Sequence, residues 1–399
     1  MTAAHEWLAL ELARWWPRVA DHLWQATLFT LVVLAASFAL NRGPARVRHF
    51  FWVLASTKFI FPAALLVVLA DQVGVPSLFF FKTASTAQHA WLQGFTEPVW
   101  LIVNNYELTV HAGGITRHHE IYCVVTITWL VGCLTLLVAW AKRRRDFFQM
   151  LKCGRPTKFG REWQALKNAQ ESLGLKRDVA LVISSRKMEP TVCGVWNPVI
   201  MLPESIAEHL DDSELQAIMF HELVHIQRRD NLIGNCQMVI CALFWFHPLV
   251  WFISRKLYDE RERACDERVL EICATPEAYA ASILKVVRFT FGWKVAGVTG
   301  AASSTNLRRR IENIMSRSNS NRNGLGRRLL AGTLLALALV LMVVAGMYKR
   351  VDSASKVAAR IVDGNELVES RSNPDLTGAI QKNSKPPQPP EPPQEPQPP

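Results

Sequence analysis

Four stretches of this chain stay apolar over the roughly 20 residues that a helix needs to cross a bilayer, and they restrict the fold more than any other feature. They run from His22 to Leu40, Phe50 to Ala70, Ile121 to Ala141 and Leu329 to Tyr348. Half of the 399 residues are hydrophobic, with 14 Trp and 19 Phe, and this content is gathered into runs rather than spread along the chain. A cleavable signal is not indicated at the start. Glu6, Glu11, Arg14 and Arg18 interrupt the first residues before any apolar core begins.

Basic residues orient the runs. Arg42, Arg46 and Arg48 follow the first run and put that loop inside, whereas the long loop from Asp71 to Glu120 has Lys82 and Arg117 as its basic residues and belongs outside. Lys142 to Arg145 close the third run on the inside, and Arg322, Arg327 and Arg328 lead into the fourth from the same side. Lys349 and Arg350 dissent mildly. The expected protein is a multi-pass component of the inner (plasma) membrane. A membrane domain with three transmembrane helices (1–141) precedes a cytoplasmic domain (142–328), a fourth helix (329–348) and an outside tail (349–399). The tail from about Lys385 is proline-rich, which predicts a disordered, semi-extended spacer. Lys58 lies well inside the second run, where a charge either serves function or snorkels against a partner helix.

The formal net charge of +11 does not point to nucleic acid, because the densest basic clusters flank apolar runs. No direct nucleic-acid binding is expected. The cysteines at 123, 133, 153, 193, 236, 241, 265 and 273 are scattered without paired spacing. They read as free, mostly buried thiols in a reducing compartment.

Within the cytoplasmic domain, Val179 to Ser184 predicts a short strand, and Thr191 to Leu202 predicts strand, turn and strand, with Pro198 placing at least one strand at a sheet edge. Helical patterns follow. Asp211 with Glu214 three positions on forms a capping box, Leu210 and Leu215 fall at staple positions, and Leu215, Ile218, Met219, Leu223 and Ile226 keep helical spacing.

That helix carries His221-Glu222-Leu223-Val224-His225. Histidines four apart project from one helical face and can bind one metal. Glu222 stands about 100° round the helix from His221, beside the metal, where it can take a proton from the attacking water. Chance produces this pattern in roughly one chain in a hundred of such length, so the neighbourhood has to carry the argument.

A catalytic zinc needs a third protein ligand and an open position. Glu262, 37 residues after His225, can complete a His2Glu set, with Glu260 and Glu267 as rival carboxylates. Asp266, one turn beyond Glu262, could accept a hydrogen bond from a ligand histidine and fix its tautomer. Arg228, Arg229 and Asp230 follow the motif, and Asp230 is the member of that trio best suited to support a ligand. The uncharged run Cys236 to Ile253 is long enough to pass for a fifth span. A crossing there would leave the histidines and Glu262 on opposite sides, so it is expected to touch the membrane without crossing. His247-Pro248 breaks a straight helix at its middle.

Several local runs then carry a resemblance. Gly194-Val195-Trp196-Asn197-Pro198-Val199-Ile200-Met201-Leu202-Pro203, the HExxH run through Asp230, His247-Pro248-Leu249-Val250-Trp251, Glu262-Arg263-Ala264-Cys265-Asp266 and Arg310-Ile311 together resemble the membrane metallopeptidases of the BlaR/MecR-type antirepressor family, the β-lactam sensor-transducers. The resemblance covers roughly residues 20 to 350. It implies a mainly α membrane protein with four transmembrane helices and an α+β, zincin-like cytoplasmic metallopeptidase domain. It further implies zinc held by His221, His225 and Glu262, Glu222 as general base, and substrate backbone held near Gly194, Val195 and Trp196. Implied partners are a protein substrate such as a winged-helix transcriptional repressor, the lipid bilayer, and a second copy of the chain. Self-cleavage between about Gly300 and Gly326 is a further expectation. In those sensors the fourth span leads to a penicillin-binding domain, whereas about 50 polar, proline-rich residues follow Tyr348 here, so β-lactam acylation is not expected. A quality-control protease of the HtpX type and a non-enzymatic membrane transducer are the alternatives.

Overall fold

The computed structural model describes residues 3–41, 43–62, 119–272, 275–291, 301–316 and 332. The fourth expected span apart from residue 332, the end of the second (63–70), the 71–118 loop, the proline-rich tail and Cys273 lie outside these residues. The described part is mostly helical with one small sheet.

Helix α1 (Ala3–Ala39) starts well before the first apolar run, and its Trp15–Ala39 portion is long and apolar enough to cross a membrane. Helix α2 (Ala45–Ile60) has only 16 residues, about 24 Å. It stops inside the second expected run because Phe61 turns extended (φ −100°, ψ 104°) ahead of Pro62; a residue preceding proline is driven out of the helical region. Helix α3 (His119–Cys153) carries the second candidate span, Ile121–Cys153. Among the described residues these are the two helices that meet the length and hydropathy of a crossing.

On α1, Ala26, Phe29, Val33, Ala36 and Leu40 repeat every three or four residues, so they share one face. That face is buried against Phe51, Trp52, Ala55 and Phe59 of α2. Lys58 faces α1, with Nζ 3.4 Å from His22 Nδ1.

After α3 come β1 (Arg155–Thr157), α4 (Arg161–Ser172), β2 (Ala180–Ser184), β3 (Thr191–Cys193) and β4 (Val199–Pro203). The sheet order is β1-β2-β4-β3, with β2 parallel to β4 and the outer pairs antiparallel. The two expected strand regions are present, and β1 and α4 add to them. One of the two expected strands does lie at a sheet edge, the short β3, whereas Pro198 ends the turn before β4, a central strand with Ile200, Met201 and Leu202 buried. A proline ahead of a strand costs no ladder bond there.

Helix α5 (Asp212–Gln227) begins with the expected capping box: Asp211 Oδ1 accepts the Glu214 amide at 2.8 Å, and Glu214 Oε2 accepts the Asp211 amide at 2.9 Å. Its Leu215, Ile218, Met219, Leu223 and Ile226 join the core under the sheet with Leu166 of α4 and Val269, Tyr279 and Ile283 from later helices.

Helices α6 (Asp230–Leu243) and α7 (Pro248–Ile272) form a hairpin through residues 244–247. The apolar run thus turns back at His247-Pro248, as the proline demands, with Pro248 in the first helical position where its missing N–H costs nothing. The hairpin tip is clamped by both long helices. Trp129 Nε1 of α3 donates to the Leu243 carbonyl at 2.7 Å, and Trp245 Nε1 donates to the Trp129 carbonyl at 3.3 Å. Thr27 Oγ1 of α1 stands 3.2 Å from His247 Nε2. Gly132 lies so close under the Trp245 ring that a Cβ there would meet it at 2.2 Å.

Helix α7 has two working faces. One presents Glu260 to Arg48 (2.8 Å), Glu267 to the Ala45 amide that opens α2 (3.0 Å) and Glu271 to Arg46 (3.8 Å). The other presents Glu262 and Asp266 to α5. Helices α8 (Pro276–Phe291) and α9 (Ala301–Ser316) complete the fold beside them.

Candidate metal centre

Two helices meet at the site. Helix α5 brings His221 and His225 onto one face, their Nε2 atoms 3.2 Å apart. Helix α7, running back from the hairpin, brings Glu262, whose Oε2 is 3.4 Å from His221 Nε2 and whose Oε1 is 3.8 Å from His225 Nε2. All three donor atoms lie within 4.8 Å of one another. The rival carboxylates of Glu260 and Glu267 face α2 instead.

The hydrogen bonds fix which nitrogen of each imidazole is free. Asp230 Oδ2 accepts from His225 Nδ1 at 2.8 Å, so the lone pair sits on Nε2. Arg229 makes this possible: it adopts the left-handed region (φ 57°), turning the chain between α5 and α6 so that Asp230 comes back onto a residue five positions earlier. For His221 the arrangement differs from the expected direct bond to Asp266. Tyr279 of α8 stands between them, its hydroxyl 2.9 Å from His221 Nδ1 and donating to Asp266 Oδ1 at 2.6 Å; Asp266 itself is 3.6 Å from the ring. With its proton given to Asp266, the tyrosine oxygen accepts from His221 Nδ1, again leaving Nε2 with the lone pair.

Two lone-pair nitrogens and a carboxylate then face each other across less than 4 Å, which is unfavourable unless a cation lies between them. A tetrahedral ion bound at about 2.0–2.2 Å needs ligand-to-ligand edges of about 3.3–3.6 Å. The observed 3.2, 3.4 and 3.8 Å suit that requirement.

The electrostatics agree. Burial disfavours ionised Glu262, but the neighbouring imidazoles and the Arg310 charge outweigh that, holding the carboxyl well below its usual range. Burial likewise opposes charge on His225, yet Asp230 and the carboxylates of Glu262 and Glu222 raise its basicity. Cys265 lies 3.3 Å from His225 Nδ1. Burial and the Asp230 charge push that thiol's pKa well above its usual value, and it approaches the Nδ1 side of the ring, bonded to Asp230 and away from Nε2.

Glu222 lines the same open cavity of about 230 Å³, together with Glu189, Thr191, Val192, Tyr258, Arg310 and the apolar Ile218 and Val286. Gly194, Val195 and Trp196 do not line it. They form the turn after β3, where Gly194 holds φ 84° and a Cβ would meet the Asn197 carbonyl at 2.2 Å. The Val195 and Trp196 carbonyls are taken by the Arg177 guanidinium, and the Trp196 side chain is 79% exposed. The strand edge facing the cavity is therefore β3, a few residues earlier than expected. Its approach to the site is fixed by Asn231 Nδ2, which donates to the carbonyls of Val192 (3.2 Å) and Gly194 (3.1 Å).

The family described as BlaR1 peptidase M56 matches residues 19–314, about three quarters of the chain. The chain belongs to that family. Its curated relatives include the methicillin resistance mecR1 proteins of Staphylococcus aureus and Staphylococcus epidermidis, each 26% identical over 182 residues, 45% of this chain and 31% of theirs. Regulatory protein BlaR1 of Bacillus licheniformis is 30% identical over 152 residues, 36% of this chain and 24% of its own. The chain thus spans less than a third of the length of these relatives. Among the described residues, two helices of this family member are long and apolar enough to cross a membrane.

Tyr279 and Arg310 are the cavity residues whose roles sequence reasoning missed. Arg310 was visible as part of the Arg310-Ile311 resemblance but without a partner. Tyr279 sends no signal of its own, because its contact with His221 spans 58 residues and arises from helix packing.

Proposed function

We propose that the chain is an integral-membrane zinc endopeptidase that cuts a cytoplasmic protein in response to a signal, with His221, His225 and Glu262 as metal ligands. The observation that carries this reading is the convergence of the three donor atoms within 4.8 Å, each with its other polar atoms already engaged. Zinc held there supplies Lewis acidity toward the scissile carbonyl and acidifies water. Glu222 takes the proton of the attacking water and returns it to the leaving amine. Asp230 and Tyr279 hold the two imidazoles in the tautomer that presents Nε2. The outer edge of β3 offers backbone groups to an extended substrate segment.

The topology that goes with this reading has four spans, a cytoplasmic domain from 142 to 328, an outside tail, and the α6–α7 hairpin entering the membrane without crossing it. Contact of the hairpin tip with Trp129 and Gly132, near the middle of the third apolar run, supports that arrangement. By the resemblance, a winged-helix repressor is the first candidate substrate and the chain itself the second. The relatives' printed names, methicillin resistance and regulatory protein, favour signalling over quality control.

The test compares cytoplasmic protein ends in cells carrying the wild-type chain with those carrying Glu222→Ala. New ends that vanish in the variant, while its zinc is retained, are expected. Unchanged processing in a zinc-loaded Glu222→Ala chain would sink the reading.

A further inference from the structure

Arg310 is held at the site by an unusual amount of machinery. It comes from α9, 89 residues after His221. Its Nε donates to Asp266 Oδ2 at 2.8 Å and its Nη2 to Asp266 Oδ1 at 2.7 Å, a bidentate pair that fixes the plane of the guanidinium. Nη2 also lies 3.4 Å from the Tyr279 hydroxyl and 3.3 Å from His221 Nε2. Nη1 is different. Among the described residues it makes no hydrogen bond, and Glu262 Oε2, its ion-pair partner, stands 3.7 Å away. The other cavity arginine, Arg261, is spent on Glu262 through two bonds of 3.1 and 2.9 Å. Arg310 therefore presents a clamped, partly desolvated cation to the cavity, with one nitrogen's donors unspent, beside Glu222 and the ligand atoms.

With Nε and Nη2 engaged by Asp266, the planar guanidinium directs Nη1 away from that carboxylate, toward the Glu262 side of the site. Fixed donors aimed at developing charge are the most effective electrostatic device in hydrolysis, because they need no reorganisation when the charge appears.

We propose that Arg310 is a catalytic residue that donates from Nη1 to the carbonyl oxygen of the scissile peptide as it becomes an oxyanion. This rests on the peptidase reading above. The water oxygen bonds to the carbonyl carbon, the π pair moves onto the carbonyl oxygen beside Nη1, and Glu222 takes the water proton. As the oxyanion collapses, the C–N bond breaks, its electron pair leaves on nitrogen, and Glu222 delivers the proton to that amine.

The experiment uses the full-length chain in detergent micelles and an internally quenched peptide library with both termini blocked. Wild type, Glu222→Gln, Arg310→Ala and Arg310→Lys are compared by kcat, KM and zinc content, with methylguanidinium added to each. Expected are a loss of about 100- to 1000-fold in kcat for Arg310→Ala, KM within a few fold of wild type, zinc retained, and partial recovery with methylguanidinium for Arg310→Ala alone. Arg310→Lys, which keeps the charge but not the fork, falls between. Wild-type kcat per bound zinc in Arg310→Ala or Arg310→Lys overturns the proposal. If wild type cuts no peptide in a Glu222-dependent way, the peptidase reading falls first and this proposal with it.

Discussion

At the scale of single residues, the site depends on atoms that never touch substrate. Asp230 fixes His225, so Asp230→Asn should weaken zinc binding by about 10- to 100-fold while leaving the fold intact, measured by competition with a chromogenic chelator. The N-cap of α5 makes a second test. Asp211→Ala should cost about 1 kcal/mol, read as a shift in thermal midpoint. The hydroxyl of Ser213 and the Glu214 amide lower the Asp211 pKa in the fold. Its contribution is therefore complete above the unfolded value of about 3.9 and is lost as pH falls through the lower folded one. An Asp211→Ala effect that persists undiminished well below pH 3 would contradict that account. At this scale the sequence was informative wherever partners are close along the chain: His221, His225 and Glu222 share a helix turn, and Asp230 follows five residues later. Glu262 stayed one of three candidate carboxylates in the sequence, because only the docking of α7 shows that Glu260 and Glu267 turn toward α2. Tyr279 was not legible, since its place beside His221 and Asp266 depends on how α8 docks.

At the scale of elements, α7 links the metal centre to the turn between α1 and α2. Arg48 and Glu260 are both nearly buried (7% and 6% exposed), and Arg48 also caps the carbonyls of Leu40 and Asn41 (3.0 and 3.3 Å). Removing Arg48 leaves the buried Glu260 with Arg263 alone, 3.0 Å from its other oxygen, whereas replacing both members of a buried pair can be neutral. Arg48→Met should therefore destabilise by about 3–5 kcal/mol, and Arg48→Met with Glu260→Met should recover most of it, followed by thermal unfolding in detergent. Equal loss in single and double variants would show that the pair is not a unit. The hairpin was legible because His247-Pro248 breaks a helix and the ligands must share a side. The early end of α2 could have been read from Pro62 but was masked by unbroken hydrophobicity on either side. The central place of β4 was not legible, because Pro198 ahead of a strand reads the same whether the strand lies inside the sheet or at its edge.

At the scale of the whole molecule, the account joins a membrane part to a metal centre through the hairpin. From Asn235, which accepts from Arg144 at 2.9 Å, α6 runs about 12 Å to Leu243. From Pro248, α7 runs about 10 Å to Arg255, its first charge. These lengths span about a third to two fifths of a hydrocarbon core about 30 Å thick. A nitroxide at Phe246→Cys in a cysteine-free chain should therefore be relaxed by oxygen and shielded from a water-soluble nickel complex; strong relaxation by the nickel complex would refute the insertion. The central claim, that this is a zinc peptidase built on His221, His225 and Glu262, is tested most directly by measuring bound zinc and peptide hydrolysis on the same purified samples. The account predicts about one zinc per chain with hydrolysis in wild type, zinc without hydrolysis in Glu222→Ala, and neither in His225→Ala. Hydrolysis that survives in His225→Ala, or a wild-type chain supplied with zinc that binds none, would contradict it.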